Sequence, residues 1–115
     1  MKGTVSRILA LLVGATFASV SCEDRPGRAA YVDSGCPRCH AADLTGTRLG
    51  PPLTWVSFHW NESELRLFLT KPDSFRVHDE RLRLVAEQYP APMPIFVMTD
   101  SVRAHLVGYL LTLTE

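Results

Sequence analysis

The chain has no excess of charge of either sign. Lys and Arg number 12 against 12 Asp and Glu, so no basic surface points to nucleic acid. It also lacks a run long and apolar enough to read as a membrane span, because the stretch from Ile8 to Val20 is short and diluted by Gly, Ala, Thr and Ser. No segment alternates apolar and polar residues, so no strand is expected, and there is no internal repeat or low-complexity run. No acid, base or nucleophile stands out, which argues against an enzyme and against a small-molecule substrate. Cysteine is scarce, with 3 in 115 residues, and methionine equally so. The chain is 46% hydrophobic and 21% charged, the balance of one folded domain rather than a disordered segment.

The N-terminus reads as a secretory signal. "MKGTVSRILALLVGATFASVSC" has a basic start at Lys2 and Arg7, an apolar stretch, and small residues before Cys22. Ser19-Val20-Ser21-Cys22 resembles a bacterial lipoprotein box, with Ser19 where Leu is usual. A lipidated Cys22 also accounts for the odd cysteine, which in an exported protein would otherwise be a free thiol or an intermolecular disulfide. A plain signal-peptidase cut and an uncleaved anchor helix are the alternatives. The expected organisation is a lipoprotein-type signal peptide over 1–21, a short linker over 22–26 and a domain over 27–115. Removing 1–21 leaves 94 residues with 10 basic and 12 acidic side chains, a net of −2. A core of that size is thin, and a large buried cofactor would add much to it. Acyl chains on Cys22 would hold the domain at a membrane surface without spanning it.

Helical periodicity predicts about four helices with long loops, an all-α fold. The first runs from about Pro26 to Ser34 and is ended by Gly35. The second opens on Asn61-Glu62-Ser63-Glu64, a capping box, and carries Leu65, Phe68 and Leu69 on one face before Pro72. The third spans roughly Asp79 to Gln88 and stops at Pro90, Pro92 and Pro94. The fourth, about Asp100 to Thr112, carries the stripe Val102, Leu106, Tyr109, Leu110 and Leu113. The segment from Ala41 to Trp60 has no clear period and reads as loop.

Chemistry concentrates at "SGCPRCH", residues 34–40. A redox C-x-x-C belongs at a helix start beside a βαβ pattern, which this chain lacks. Zinc needs about four ligands, so two of His59, His78 and His105 would have to join Cys36 and Cys39, and their spacing is unlike a paired histidine half-site. C-x-x-C-H is the signature of covalent c-type haem attachment. On one helical turn Cys36 and Cys39 share a face and can form thioethers to the two vinyl groups of one porphyrin. His40 then reaches the iron from the same side.

From this motif outward the sequence resembles the class I c-type cytochromes over nearly the whole chain after the signal. Gly27 and Tyr31 look like the glycine and aromatic of the family's N-terminal helix, Leu49-Gly50-Pro51-Pro52-Leu53 like the proximal loop, "MPIF" (93–96) like the distal loop, and "YLLTL" (109–113) like the end of the C-terminal helix. The resemblance implies a cytochrome c fold around one covalent haem c. It implies His40 as proximal iron ligand, the Pro51 carbonyl as acceptor of the His40 Nδ1 proton, and Met93 as distal ligand. Prolines on both sides of Met93 would stiffen a loop holding a weak thioether ligand. Met98 or a histidine are the alternatives. Trp55 and Trp60 are expected to wall the haem, and an indole N–H could reach a propionate. Arg76, Arg81 and Arg83 could pair with propionates, although a solvated helix face is the plainer account. The implied function is single-electron transfer on the outer, periplasmic side of a membrane, with redox proteins as transient or tethered partners. The rival readings are a haem-based gas sensor with an open distal site and a zinc-binding structural lipoprotein.

Overall fold

The computed structural model describes residues 25–113, together with Gly14. The expected signal peptide and Cys22 lie outside the described residues. Seven helices are present among those residues, and no strand: α1 Arg25–Asp33, α2 Pro37–His40, α3 Val56–His59, α4 Glu62–Thr70, α5 Pro72–His78, α6 Glu80–Gln88 and α7 Asp100–Leu111. The all-α expectation holds, and the four predicted helices correspond to α1, α4, α6 and α7.

Local chemistry explains where these helices begin. At α4 the Asn61 side chain accepts from the Glu64 N–H while the Glu64 carboxylate accepts from the Asn61 N–H, completing the capping box. Asp79 caps α6 through the Leu82 N–H, and Thr99 caps α7 through the Val102 N–H. α1 begins at Arg25, one residue before the predicted start at Pro26, and proline suits a first helical turn that needs no donor.

Three short helices lie where the sequence predicts loop or helix end. α5 is the instructive one. Pro72 reads as the stop of the preceding helix, yet Lys71 both ends α4 and precedes α5, and Pro72 opens α5. Proline forbids continuation but favours initiation, so one residue does both.

The core forms where α1 crosses α7, with α4 and α3 also packed on α7, and α5 bridging α4 to α6. Tyr31 and Val107 are fully buried and Leu106 nearly so. Val107 falls outside the predicted stripe. It is buried because α7 is covered on more than one side, and a helix so placed loses its one-sided pattern.

Candidate functional site

The site begins at the end of α1. Gly35 takes φ +84°, the left-handed conformation that glycine enters without strain. The Cys36 N–H then donates to the Tyr31 carbonyl and the Gly35 N–H to the Val32 carbonyl, the two bonds of a Schellman stop. The chain turns at once into α2, a single turn opened by Pro37 that ends on His40. Cys36, buried, and Cys39, half-buried, both keep free thiols. Burial pushes the Cys36 thiol above its ordinary pKa, so it is held as a neutral thiol.

The turn after His40 is fastened at successive carbonyls. The Thr47 hydroxyl donates to the Cys39 carbonyl at 2.7 Å, the Gly46 N–H to the His40 carbonyl at 2.9 Å, and the Tyr31 hydroxyl to the Ala41 carbonyl at 2.6 Å. Ala41 sits at φ 68°, a strained value for a residue with a Cβ. The fixed carbonyl therefore holds a conformation the chain would not choose by itself. Burial also pushes the Tyr31 phenol up to about 12, so it stays a donor throughout the physiological range. Tyr31→Phe should lower stability by about 1–2 kcal/mol, the usual cost of removing a buried hydrogen-bonding partner. Urea unfolding of the haem-loaded protein reads that loss.

The proximal loop closes over this turn. The Leu53 N–H donates to the Leu44 carbonyl at 2.9 Å. At Gly50, a Cβ would lie 3.1 Å from Cys39 Cβ and from the Cys39 carbonyl oxygen and 3.2 Å from His40 Cε1, so glycine lets the loop come this close without pushing the motif's side chains aside. The Pro51 carbonyl consequently accepts from the His40 Nδ1–H at 2.7 Å. That bond fixes the tautomer and leaves Nε2 as the free nitrogen. Burial holds the His40 pKa below its usual value, with the Pro51 bond opposing. The imidazole is thus neutral, the form that binds iron.

These residues lie on one wall of a cavity of about 410 Å³, within the size range of small-molecule and cofactor sites. Tyr31, Leu106 and Leu110 form its floor, Leu65, Phe68 and Leu69 one side, and Leu82, Val85 and Ala86 another. The proline-rich segment after Tyr89 closes it and brings Met93 and Phe96 to the lining. Cys36, Cys39, His40, Pro51 and Met93 thus all meet at one apolar cavity.

Other singled-out residues lie elsewhere. Neither Trp55 nor Trp60 lines the cavity. Trp55 is 54% exposed and stacks on Phe58 at 5.1 Å. Trp60 packs behind the wall, 4.8 Å from Phe68 and 5.6 Å from Phe75, with the Arg81 guanidinium 5.0 Å over its ring. Its role is to back Phe68, which does reach the cavity. Met98 packs on the core away from the lining. His59, His78 and His105 are exposed. Among the described residues no three His, Cys, Asp or Glu side chains gather as a metal cluster. Arg76, one of the three arginines weighed above, reaches the cavity lining. The signal that places it is Pro72 as a helix start, which puts Arg76 on a helix packed against α4 and α6.

The donor set fits covalent haem c: two free thiols one turn apart, a neutral oriented imidazole, a thioether on the same cavity and apolar walls between them. Its class is that of haem-binding electron-transfer proteins. The chain belongs to the cytochrome c family, whose family model, Cytochrome c, matches residues 25–114. No curated protein and no solved structure matches the chain. Membership in the family implies a covalently attached haem c. Among the described residues no helix is long and apolar enough to cross a membrane.

Proposed function

We propose that this protein carries single electrons on one covalently bound haem c, with Cys36 and Cys39 as thioether attachments and His40 and Met93 as axial ligands. The observation that carries the reading is that His40, oriented by Pro51 at 2.7 Å, and Met93 border the same apolar cavity. The haem supplies an Fe(III)/Fe(II) couple. The protein's part is to hold and tune it. The Pro51 carbonyl raises the basicity of His40. A neutral, soft thioether from Met93 favours the reduced state and raises the potential. Leu65, Phe68, Leu82 and Leu106 exclude water, and a dry wall disfavours the extra charge of the oxidised state. Prolines 90, 92 and 94 stiffen the segment that presents Met93. With both axial positions filled, no substrate reaches the iron.

The partners in this reading are redox proteins that meet the domain through a small, transient contact, or a complex that holds it as a fixed subunit. The chain is exported and acylated at Cys22, on the periplasmic side of a membrane. Such an anchor raises the local concentration of the domain near membrane-bound donors and acceptors.

The test is optical, on protein matured in a host with a c-type haem ligation system. A c-type reduced spectrum, an iron–thioether charge-transfer band when oxidised, and no reaction of the reduced form with carbon monoxide are expected. Immediate uptake of carbon monoxide would instead mean an open distal site and a ligand-binding function.

A further inference from the structure

We infer that the outer side of α3, Trp55 with Phe58, seats in the lipid headgroup layer of the membrane that anchors the protein. This seat presupposes acylation of Cys22 as proposed above. Two large apolar side chains stand in water here. Trp55 is 54% and Phe58 64% exposed. They lie three residues apart at the start of and within α3, and stack at 5.1 Å. Val56, between them in sequence, is buried and lines the cavity, and neither aromatic does. The pair therefore contributes nothing to the walls of the haem site.

The position of the pair points to lipid. Gly27, in the first turn of α1, packs on Tyr109 of α7. The Ser57 hydroxyl of α3 donates to the Leu113 carbonyl at 2.9 Å. Tyr109 and Leu113 are four residues apart in sequence, about one helical turn or 6 Å. The start of α1 and the short helix α3 thus share the C-terminal end of α7. Cys22 stands three residues before Arg25, where α1 begins, a reach of about 10 Å at full extension. Acyl chains on Cys22 bring this end of the domain to the lipid surface.

Charge agrees with the position. From Leu44 to Asn61 the chain carries no Asp or Glu, and its only full charge is Arg48. Arg25 and Arg28 are exposed at the start of α1, and match in number Glu23 and Asp24, the acids next to Cys22 in sequence. The exposed acids Glu62, Glu64, Glu80 and Glu87 belong to α4 and α6. An anionic headgroup layer attracts arginine and accepts tryptophan and phenylalanine at its boundary. A tether alone would let the domain rotate, and a second contact through α3 fixes which side meets lipid. The cavity lining stays clear of lipid, because neither aromatic belongs to it.

The test is hydroxyl-radical footprinting, by water radiolysis and mass spectrometry, of the haem-loaded mature protein on vesicles of phosphatidylethanolamine and phosphatidylglycerol. The reference is the Cys22→Ala chain, exported behind a signal that is cleaved without acylation and kept free in solution. Labelling of Trp55 and Phe58 should fall about five-fold or more on the vesicles, as for side chains sunk about 5–10 Å into the headgroup boundary. Val77 and Val97, 74% and 103% exposed, should label alike in both states. Equal labelling of Trp55 and Phe58 in the two states overturns the inference, and so does equal protection of all four side chains. Trp55 and Phe58 already protected in the solution reference would mean that a second copy of the chain covers them, which overturns it too. The mass of the N-terminal peptide reads acylation separately. If it shows no acyl chain, the anchor reading fails, and flotation of the protein with the same vesicles decides the aromatic face by itself. Co-flotation lost on combining Trp55→Ser with Phe58→Ser upholds that face. Co-flotation kept in that variant, or absent from wild type, overturns it.

Discussion

Met93→Ala should produce a haem protein whose reduced form takes up carbon monoxide at once and whose oxidised form lacks the iron–thioether band. The physical reason is narrow. Met93 is the methionine on the cavity lining, while Met98 packs on the core outside it, and the three other histidines are exposed. Removing one thioether therefore leaves no described soft or imidazole donor in place to substitute. The potential should drop by roughly 0.1–0.3 V, a part of the ~0.8 V span that axial ligands control. Met98→Ala provides the contrast. It should cost about 2 kcal/mol of stability by leaving a void where this half-buried side chain packs on the core, with spectrum and potential nearly unchanged. If Met98→Ala rather than Met93→Ala opens the iron to carbon monoxide, the distal assignment is wrong.

The second large effect belongs to the α1–α7 crossing. A Cβ on Gly27 would collide with Tyr109 Cβ and would lie 2.6 Å from the His105 carbonyl oxygen. One of these is backbone and the other the root of a buried side chain, so neither swings aside. Gly27→Ala must push the two helices apart and should destabilise the folded protein by about 3 kcal/mol. Tyr31 on α1 and Leu106 and Leu110 on α7 form the cavity floor, so haem incorporation should fall as well. Gly108 is on the same α7 but nothing lies within 4 Å of its added Cβ. Gly108→Ala should stabilise by about 0.5–1 kcal/mol through helix propensity alone. Chemical denaturation of the two variants beside wild type measures the opposite signs.

The proximal half of the site was legible in the sequence because it is local. Cys36, Cys39 and His40 occupy one turn, and Pro51 reaches His40 from a loop only 11 residues away. Glycine and proline set that geometry: Gly35 ends α1, Gly50 permits the close pass, and Pro37 opens α2. The helix caps at Asn61, Asp79 and Thr99 act within three residues, so the chain itself carries them.

The wall opposite was not legible. Trp60 and Arg76 are sorted by which face of α4, α5 and α6 meets which neighbour. That depends on the packing of helices that touch only in the folded chain. An aromatic before a helix and an arginine within one have no local mark of whether they face cofactor, core or water. Pro72 shows the limit at a single residue, since ending α4 and starting α5 look alike until the direction of the next helix is known.

What the amino-acid sequence carried by itself was the C-x-x-C-H signature of the family and the all-α class, because these follow from short-range spacing and helical periodicity. Tertiary structure alone decided that Trp60 backs Phe68 instead of lining the cavity, that Val107 is buried on a helix covered from more than one side, and that Arg76 reaches the cavity lining. Each of these is a competition among distant groups for the same space or the same charge, and only the packed chain resolves it.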